Sequence, residues 1–286
     1  QSFRVDVTGI GEGLSHTHFT ALQVKNAIID LQRERWGLRS SIDLKNPDIC
    51  FHLHLANSQA VFSVGGCNSS LHKRGYRPAV GMAPIKETLA AGLIRMTEWD
   101  GTTNLVDPLC GSGTFLIEAV SILLGIAPGM DRQFLFKNWP DFNYSIWDKE
   151  LKMAKNNKPL NKSLPRIIGC EVDAMIAESA TNNIVKAGLE NYIEIINRPF
   201  QDFQLPPGLG LLICNPPYGK RIGDENELPN LYKQLGEYCK TKASGWDLWL
   251  LNGNPKLSKY LGMKASRRFQ VNNGSIDCRW LNYKIK

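Results

Sequence analysis

The residues with the clearest chemistry form the motif Asn215–Gly219, which directly follows the apolar run Leu209–Cys214. The run has the length and aliphatic content of a strand buried on both faces. The two prolines of the motif end it, because proline cannot donate to a strand ladder. An amide oxygen, a backbone carbonyl and an aromatic ring therefore lie at the carboxyl end of a strand, where open α/β sheets bind ligands. Such a set suits a planar ring with an exocyclic amine, and a proline turn without chemistry is the alternative from these residues alone.

Two further segments occupy the same kind of position earlier in the chain. A glycine-containing turn, 108–114, separates the short strand Asn104–Asp107 from the helix Phe115–Leu124. Its glycines let backbone N–H groups approach a ligand closely, but it is neither a dinucleotide fingerprint nor a phosphate loop. Glu171 ends the next strand, where one carboxylate can accept both hydroxyl protons of a ribose. Asp173 then predicts the N-cap of the following helix.

The order of elements predicts an α/β fold. After residue 104, strands at 104–107, 166–170, 192–197, 209–214 and 246–251 alternate with helices, a pattern typical of a doubly wound, Rossmann-like parallel sheet. The turn Asn272–Ser275 predicts a C-terminal antiparallel hairpin. Before residue 66, a strand, a helix ending at Gly37 and a hairpin turning at Asn57 form a small α+β module. We therefore predict a module at 1–66, a basic linker and helix at 67–95, and a catalytic domain at 96–286, with no role assigned to 127–166.

Charge is unevenly distributed along the chain. The formal net charge is +7, and residues 221–286 hold 12 Lys and Arg against 6 Asp and Glu. A basic end beside the proposed site suits a polyanion. The linker Leu71–Arg77 interleaves basic residues with a tyrosine, a composition that fits a phosphate backbone and an unstacked base and equally a solvated connection. The next helix, 84–94, has Pro84 in its first turn.

Several protein classes are disfavoured by composition. No apolar run approaches the ~20 residues of a membrane span, and the first residues lack a secretory pattern. The seven cysteines contain no CxxC pair, which favours a reducing cytoplasm over disulfides or zinc. His52 and His54 share one strand face, but no third ligand is evident, so no metal is expected. The chain lacks an initiator Met, which indicates a fragment or processed product.

The motifs resemble those of one enzyme family. Asp107–Ala119 and Asn215–Gly219 resemble the two signature motifs of the THUMP-containing RNA guanine-N2 methyltransferases, class I enzymes that use S-adenosylmethionine, most of all the bacterial 23S rRNA enzymes. The segments 71–77 and 83–90 resemble that family's interdomain junction, and 1–65 resembles the later part of a THUMP domain, so a partial THUMP module is expected. The family's adenine-binding Asp falls at Pro199 here, and Asp202 is the candidate substitute.

The resemblance implies specific roles. Catalytic roles are implied for Asn215, Pro216, Pro217 and Tyr218. Cofactor contacts are implied for Asp107, Pro108, Cys110, Gly111, Ser112, Gly113, Thr114, Glu171, Asp173 and Asp202. RNA contacts are implied for Lys73, Arg74, Tyr76 and Arg77. The implied partner is RNA, ribosomal RNA first, and the implied mechanism requires neither a metal nor a general base of shifted pKa.

Other substrates and a non-enzymatic role stay open at this point. Transfer RNA is the nearest alternative substrate. DNA adenine-N6 and protein glutamine methyltransferases also use an Asn-Pro-Pro-Tyr motif, although the small module and basic linker favour RNA. An RNA-binding scaffold that has lost activity is the non-enzyme alternative. The sequence identifies neither the modified nucleotide nor the oligomeric state.

Overall fold

The computed structural model describes residues 1–56, 58–77, 85–156, 164–219 and 227–286. Their contacts divide the chain into two compact units. The first comprises 1–70 with 131–153, and the second comprises 71–130 with 154–286. This division differs from the predicted boundaries at 66 and 95, because the first break falls after residue 70 and the segment 71–95 belongs to the second unit. Residues 131–153 also lie within the predicted catalytic domain in sequence but pack with the first unit. No helix in the described ranges is long and apolar enough to cross a membrane.

The first unit contains a four-stranded sheet and one long helix. Its elements are β1 (Ser2–Gly9), α1 (Thr17–Trp36), β2 (Ser41–Ile42), β3 (Ile49–Ala56) and β4 (Gln59–Gly65). The strand order is β2-β1-β3-β4, with β1 parallel to both neighbours and β3 antiparallel to β4. Helix α1 ends at Gly37, whose φ of 67° is left-handed and therefore suits glycine. The predicted strand, helix and hairpin are confirmed, while Asn57 of the predicted turn lies outside the described residues.

The segment 131–153 contributes an aromatic cluster to this unit. A 3₁₀ turn (Leu135–Asn138) precedes α4 (Tyr144–Lys155), and the Leu135 N–H donates to the Gly66 carbonyl at 2.8 Å. The Phe134 and Phe136 rings stack 4.8 Å apart, and each meets the Trp147 ring edge-on at 5.4 Å. These rings hold the segment in place, because aromatic pairs of this geometry add to the stability that burial gives.

The second unit contains a seven-stranded sheet. Its strands are β5 (Asn104–Asp107), β6 (Ile167–Glu171), β7 (Glu194–Asn197), β8 (Gly210–Cys214), β9 (Asp247–Asn252), β10 (Arg267–Asn273) and β11 (Ile276–Lys284). Its α-helices are α2 (Glu87–Met96), α3 (Thr114–Leu123), α5 (Ala174–Lys186) and α6 (Leu228–Lys242). The order is β10-β11-β9-β8-β5-β6-β7, in which β5 to β9 are parallel and β11 pairs antiparallel with β9 and β10. The predicted α/β class with a terminal antiparallel hairpin is confirmed, and Pro84 lies outside the described residues.

Both faces of this sheet are buried. Along β8, Leu211 and Ile213 face the core that includes α2 and α3, whereas Leu212 and Cys214 face the core that includes α6. This alternation follows from the period of two in a strand. Each fully buried aliphatic side chain contributes about 1.5–3 kcal/mol, so the strand that carries the Asn215 motif is firmly held. All seven cysteines are free thiols.

Candidate active site

The segments singled out in the sequence meet at one edge of the seven-stranded sheet. Strand β5 lies between β6 and β8, with Val106 paired to Ile168 on one side and to Leu212 on the other. The carboxyl ends of these parallel strands therefore face the same way. From β5 the sheet grows in one direction through β6 and β7, and in the other direction through β8 and β9. The strand order therefore reverses beside β5, and open α/β sheets form their ligand crevice at such a topological switch point.

The turn after β5 is held by buried polar groups. Asp107 is 1% exposed, and its Oδ1 accepts the Leu109 N–H at 3.0 Å. The Cys110 N–H donates to the Cys170 carbonyl at 3.0 Å, which ties the turn to β6. Burial raises the pKa of Asp107 well above its usual range, and the charge of Glu171 adds to the rise. Asp107 thus shapes the turn from inside the protein.

The raised pKa of Asp107 leads to a pH-dependent stability. A carboxyl whose folded pKa lies above its unfolded value of about 3.8 binds its proton more tightly in the folded state, so stability falls as pH rises from that value toward the folded pKa. Asp107→Asn stays neutral and keeps the Oδ1 acceptor. We expect the difference in Tm, variant minus wild type, to increase between pH 4 and pH 8. Parallel Tm profiles over this range would show that Asp107 does not titrate as its burial implies.

Glu171 joins the turn to the end of β6. Its Oε2 accepts the Gly111 N–H at 3.1 Å, and its Oε1 accepts the Asp173 N–H at 3.0 Å. A carboxylate has about four lone-pair sites, so each oxygen of Glu171 can accept one further hydrogen bond. Gly111 has a left-handed φ of 52°, and a Cβ built there would meet no atom within 4 Å. Open space therefore adjoins the turn. Beside this space, the Glu171 carboxylate can still accept hydrogen bonds from two hydroxyl groups.

Asparagine side chains that the sequence analysis missed fix the neighbouring loops. Asn197, at the end of β7, donates its Nδ2 to the carbonyls of Glu171 and Val172 at 2.8 and 3.1 Å. Asn183 on α5 is 2% exposed and donates its Nδ2 to the Ser112 carbonyl at 3.1 Å. A polar residue at a strand's carboxyl end was the available signal for Asn197. No local signal marked Asn183, because its partner lies 71 residues away.

The remaining predicted cofactor residues occupy the same sheet edge with different exposures. The Ser112 and Thr114 hydroxyls lie 3.2 Å apart at the start of α3. Asp173 caps α5 by accepting the N–H groups of Met175 and Ile176, as predicted. Asp202 is exposed at the end of a 3₁₀ turn, three residues after Pro199. Ligand contacts by these residues, and by Pro108, Cys110 and Gly113 of the turn, stay predictions.

Asn215 lies immediately beyond β8 with an unsatisfied acceptor. Its Oδ1 atom is buried and has no hydrogen-bond donor among the residues that the structure describes. An unsatisfied buried carbonyl oxygen costs about 1–3 kcal/mol, and such groups are rare in native proteins. Pro216, the next residue, is buried, and its backbone carbonyl is a second hydrogen-bond acceptor beside the Asn215 side chain. A ligand that brings N–H groups to this position would satisfy Asn215.

Tyr218 is held by two elements that the sequence did not indicate. Its hydroxyl accepts a hydrogen bond from Nδ2 of Asn273, the last residue of β10, at 2.8 Å. Its ring lies against Gly253, directly after β9, where a Cβ would be 2.5 Å from the ring carbons. Glycine at 253 is therefore required by close packing. The aromatic ring of the motif has a fixed orientation.

The residues of the basic linker have internal partners, and the burial of Tyr76 argues against its predicted contact with RNA. Tyr76 is 7% exposed and donates its hydroxyl to Glu118 at 3.1 Å, and Arg74 pairs with the same carboxylate at 3.4 Å. Arg77 forms an ion pair with Glu87 at 2.6 Å. A buried ring cannot stack on a base, so Tyr76 has a structural role. Both arginines also hold buried carboxylates in place, and their RNA contacts stay predictions. An RNA contact of the exposed Lys73 stays a prediction.

A group of potential metal ligands lies in the first unit. The ligand atoms of Asp6, Cys50 and His52 lie within 4.8 Å of one another. The Arg4 guanidinium already pairs with Asp6 at 2.9 Å, and burial raises the pKa of Cys50 to about 11, which keeps the thiol protonated at neutral pH. A neighbouring cation and a protonated thiol disfavour metal binding. His54 is turned to a different partner, with its Nδ1 2.9 Å from the Thr8 hydroxyl.

Comparison with known proteins agrees with this architecture. Residues 74–282 match the RMKL-like methyltransferase domain, and residues 1–65 match the THUMP domain. The fold and the order of the site segments define a class I methyltransferase. The chain belongs to the family of RMKL-like methyltransferases, with a THUMP domain ahead of the catalytic domain.

The sequences of individual relatives match the whole chain or nearly all of it. A Synechocystis protein provisionally named an RNA methyltransferase is 43% identical over 100% of this chain and 74% of its own length. The ribosomal RNA large subunit methyltransferase K/L of Syntrophotalea carbinolica is 39% identical over 95% of this chain. The chain spans only 40% of that enzyme's length.

Two crystal structures share the fold closely. One is provisionally described as a methyltransferase, in complex with SAH, with a TM-score of 0.86, 28% identity and coverage of 99% of this chain and 75% of that chain. The other is provisionally described as an N6-adenine-specific DNA methylase of Listeria monocytogenes, with a TM-score of 0.84, 29% identity and coverage of 100% of this chain and 73% of that chain.

Proposed function

We propose that this protein transfers a methyl group from S-adenosylmethionine to the exocyclic N2 amine of a guanine in RNA, with 23S rRNA as the substrate. The observation that carries the proposal is the buried, unsatisfied Oδ1 of Asn215 at the carboxyl end of β8. The large-subunit rRNA methyltransferases among the relatives support the choice of substrate.

The residues of the chain fit the cofactor. The half-buried carboxylate of Glu171 has acceptor capacity for both hydroxyls of a ribose, and open space adjoins Gly111. The structural relative in complex with SAH supports a ligand of this kind. When bound, S-adenosylmethionine supplies an electrophilic methyl carbon on a sulfonium. The protein then mainly has to align the attacking amine in line with it.

The motif residues act on the amine. A purine amine is a poor nucleophile because its lone pair is delocalised into the ring. Asn215 Oδ1 and the Pro216 carbonyl both accept, so together they hold the two N–H bonds of the amine and favour a pyramidal nitrogen with a localised lone pair. Pro217 makes this part of the backbone rigid. Tyr218 provides a fixed ring against which a base withdrawn from its helix can stack.

Loss of Glu171 should weaken cofactor binding. Glu171→Ala removes the ribose acceptors and the contacts to the Gly111 and Asp173 N–H groups. We expect the dissociation constant of S-adenosylmethionine to increase by a factor that corresponds to about 1–3 kcal/mol, measured by calorimetry. Glu178→Ala, at an exposed position of α5, is the matched control. Equal affinities of the two variants would refute the ribose assignment.

Substitutions of Tyr218 should separate ring stacking from the hydroxyl contact. Tyr218→Ala should raise the KM for RNA and slow turnover, because a stacked base is worth about 1–3 kcal/mol. Tyr218→Phe keeps the ring and loses the hydrogen bonds that the hydroxyl accepts from Asn273 and from the Cys278 thiol, of which the first is worth about 0.5–1.5 kcal/mol. We expect Asn273→Ala to match this small loss and the double variant to add little to either. Additive effects would mean that Asn273 does not act through Tyr218.

Product mapping tests the proposed reaction directly. Radiolabelled methyl donor is offered with the wild-type protein to 23S rRNA, transfer RNA, DNA and protein, and labelled RNA is mapped by mass spectrometry. N2-methylguanosine in 23S rRNA is expected, and the same nucleoside should be missing at that position in cells that lack the gene. Label in transfer RNA alone would retain the reaction and change the substrate.

DNA adenine-N6 methylation is the second candidate. It is favoured by the Listeria structure described as a DNA methylase and by the motif itself, which accepts N–H groups from any exocyclic amine. N6-methyladenine in DNA and no label in RNA would select it. The THUMP match of residues 1–65 supports RNA instead.

A further inference from the structure

A cavity of about 320 Å³ lies beside β9 and the terminal hairpin, and its lining includes none of the motif residues that the structure describes. Its walls include Asn252 at the end of β9, Lys259 in the 3₁₀ turn Leu257–Leu261, Arg268 on β10 and Arg279 on β11. Its volume lies at the lower end of the range for small-ligand sites, about 300–1,000 Å³. Separate elements thus bring three cationic side chains to one concave surface.

These three cations have no carboxylate within ion-pairing distance in the described parts of the chain. The ion pairs of this unit use other residues, including Arg267, which pairs with Glu98 at 3.3 Å although it is next to Arg268 in sequence. Burial raises the pKa of Tyr283 on the cavity wall to about 12, and the positive charge of Arg268 opposes this rise. A cavity with three cations and no described carboxylate favours an anion.

The cavity adjoins the proposed catalytic site. Asn252 is followed by Gly253, against which the Tyr218 ring packs. Strand β9 is also the parallel neighbour of β8, with Leu250 paired to Cys214 just before the motif. An anion in the cavity would therefore lie on the β9 side of a base held by Tyr218.

We propose that this cavity binds a phosphate group of the RNA backbone beside the target nucleotide. Guanidinium groups match phosphate oxygens in geometry and charge, and a nucleotide drawn out of its helix carries its flanking phosphates with it. The inference rests on the proposed function for the identity of the polyanion. A free phosphate is the other source of the same chemistry, and the experiment below separates the two.

The test compares two double variants that remove the same charge. Arg268→Gln with Arg279→Gln removes both cavity arginines, and Lys256→Gln with Lys264→Gln removes two exposed lysines outside the lining. A labelled 23S rRNA fragment is titrated at several salt concentrations. For the cavity variant we expect a slope of log affinity against log salt that is flatter by about one, because one phosphate contact is lost, and a dissociation constant raised about tenfold at 50 mM salt. The control should keep a slope closer to wild type.

Turnover and phosphate binding complete the test. The cavity variant should show a raised KM for RNA with unchanged kcat at saturating RNA and unchanged affinity for S-adenosylmethionine. Equal salt slopes for the two variants would overturn the inference. The Tm of each protein is also measured with inorganic phosphate: if the cavity variant lost the stabilisation by phosphate but kept the wild-type salt slope for RNA, the cavity would bind free phosphate and the inference would be overturned. Single substitutions replace the double variant if its Tm falls. RNA binding is measured without turnover, so the salt slopes test this inference independently of the reaction. Absence of N2-methylguanosine would refute the proposed function alone.

Discussion

Asn215→Ala is expected to lower kcat and kcat/KM together, by about 100-fold or more, while cofactor affinity stays near wild type. The expectation follows from the buried, unsatisfied Oδ1 atom. This acceptor interacts most strongly when the amine becomes pyramidal, so its loss falls on the transition state. Removal of one preorganised hydrogen-bonding group of this kind costs other enzymes about 10²–10³ in kcat. Single-turnover kinetics with saturating RNA measure the effect.

Two further variants sharpen this experiment. Asn215→Asp retains an acceptor at the same position and should keep more activity than Asn215→Ala. Asn182→Ala, on the exposed side of α5, controls for loss of an asparagine side chain and should turn over normally. If Asn215→Ala turned over at a rate close to that of Asn182→Ala, the mechanism would be wrong and the motif would be only a proline turn.

Arg77→Ala is expected to cost about 3–5 kcal/mol in the free energy of unfolding. Its ion pair with Glu87 is nearly buried, with side-chain exposures of 13% and 4%, and its Nη2 also donates to the Ile85 carbonyl at 3.2 Å. Removal of Arg77 leaves the buried carboxylate of Glu87 without an opposite charge, and such a change destabilises a protein more than replacing both partners does. Urea denaturation measures the loss, and Arg77→Met combined with Glu87→Met should recover much of it.

Arg267→Ala is the matched control for this stability experiment. Its pair with Glu98 is exposed, and exposed pairs contribute about 0–1 kcal/mol. The interpretation of Arg77 as an RNA contact predicts the opposite pattern, namely unchanged stability and weaker RNA binding. Equal unfolding free energies for Arg77→Ala and Arg267→Ala would therefore contradict the structural role.

Much of the fold follows from local sequence patterns. Strand β8 is predictable because a continuous apolar run bounded by prolines has few other solutions, and α1 is predictable because Gly37 marks its end. The segment 131–153 is not, because the aromatic rings around Trp147 gain their stability from contacts with each other and from the distant Gly66. No local period encodes such contacts.

The site shows the same limit. The order of the glycine turn, Glu171 and Asn215 predicts a shared sheet edge, because parallel strands align their carboxyl ends. The partners of the linker residues cannot be predicted this way, since Glu118 is 42 residues from Tyr76. Side chains suited to RNA are equally suited to buried carboxylates, and only the three-dimensional arrangement distinguishes the two. The Asn273 contact to Tyr218 spans 55 residues and was missed for the same reason.

The discontinuous first unit has a consequence for biosynthesis. Because it uses residues 131–153 as well as 1–70, it cannot be completed on the ribosome until residue 153 has emerged. When residue 153 is added, α3 has already been synthesised and strands β6 to β11 have not. Most side chains of α3 are buried in the finished protein. At about 5–20 residues per second, this apolar helix waits roughly 10–25 seconds for the rest of its sheet to be synthesised. During that interval the nascent chain is a natural client for chaperones that bind exposed apolar segments.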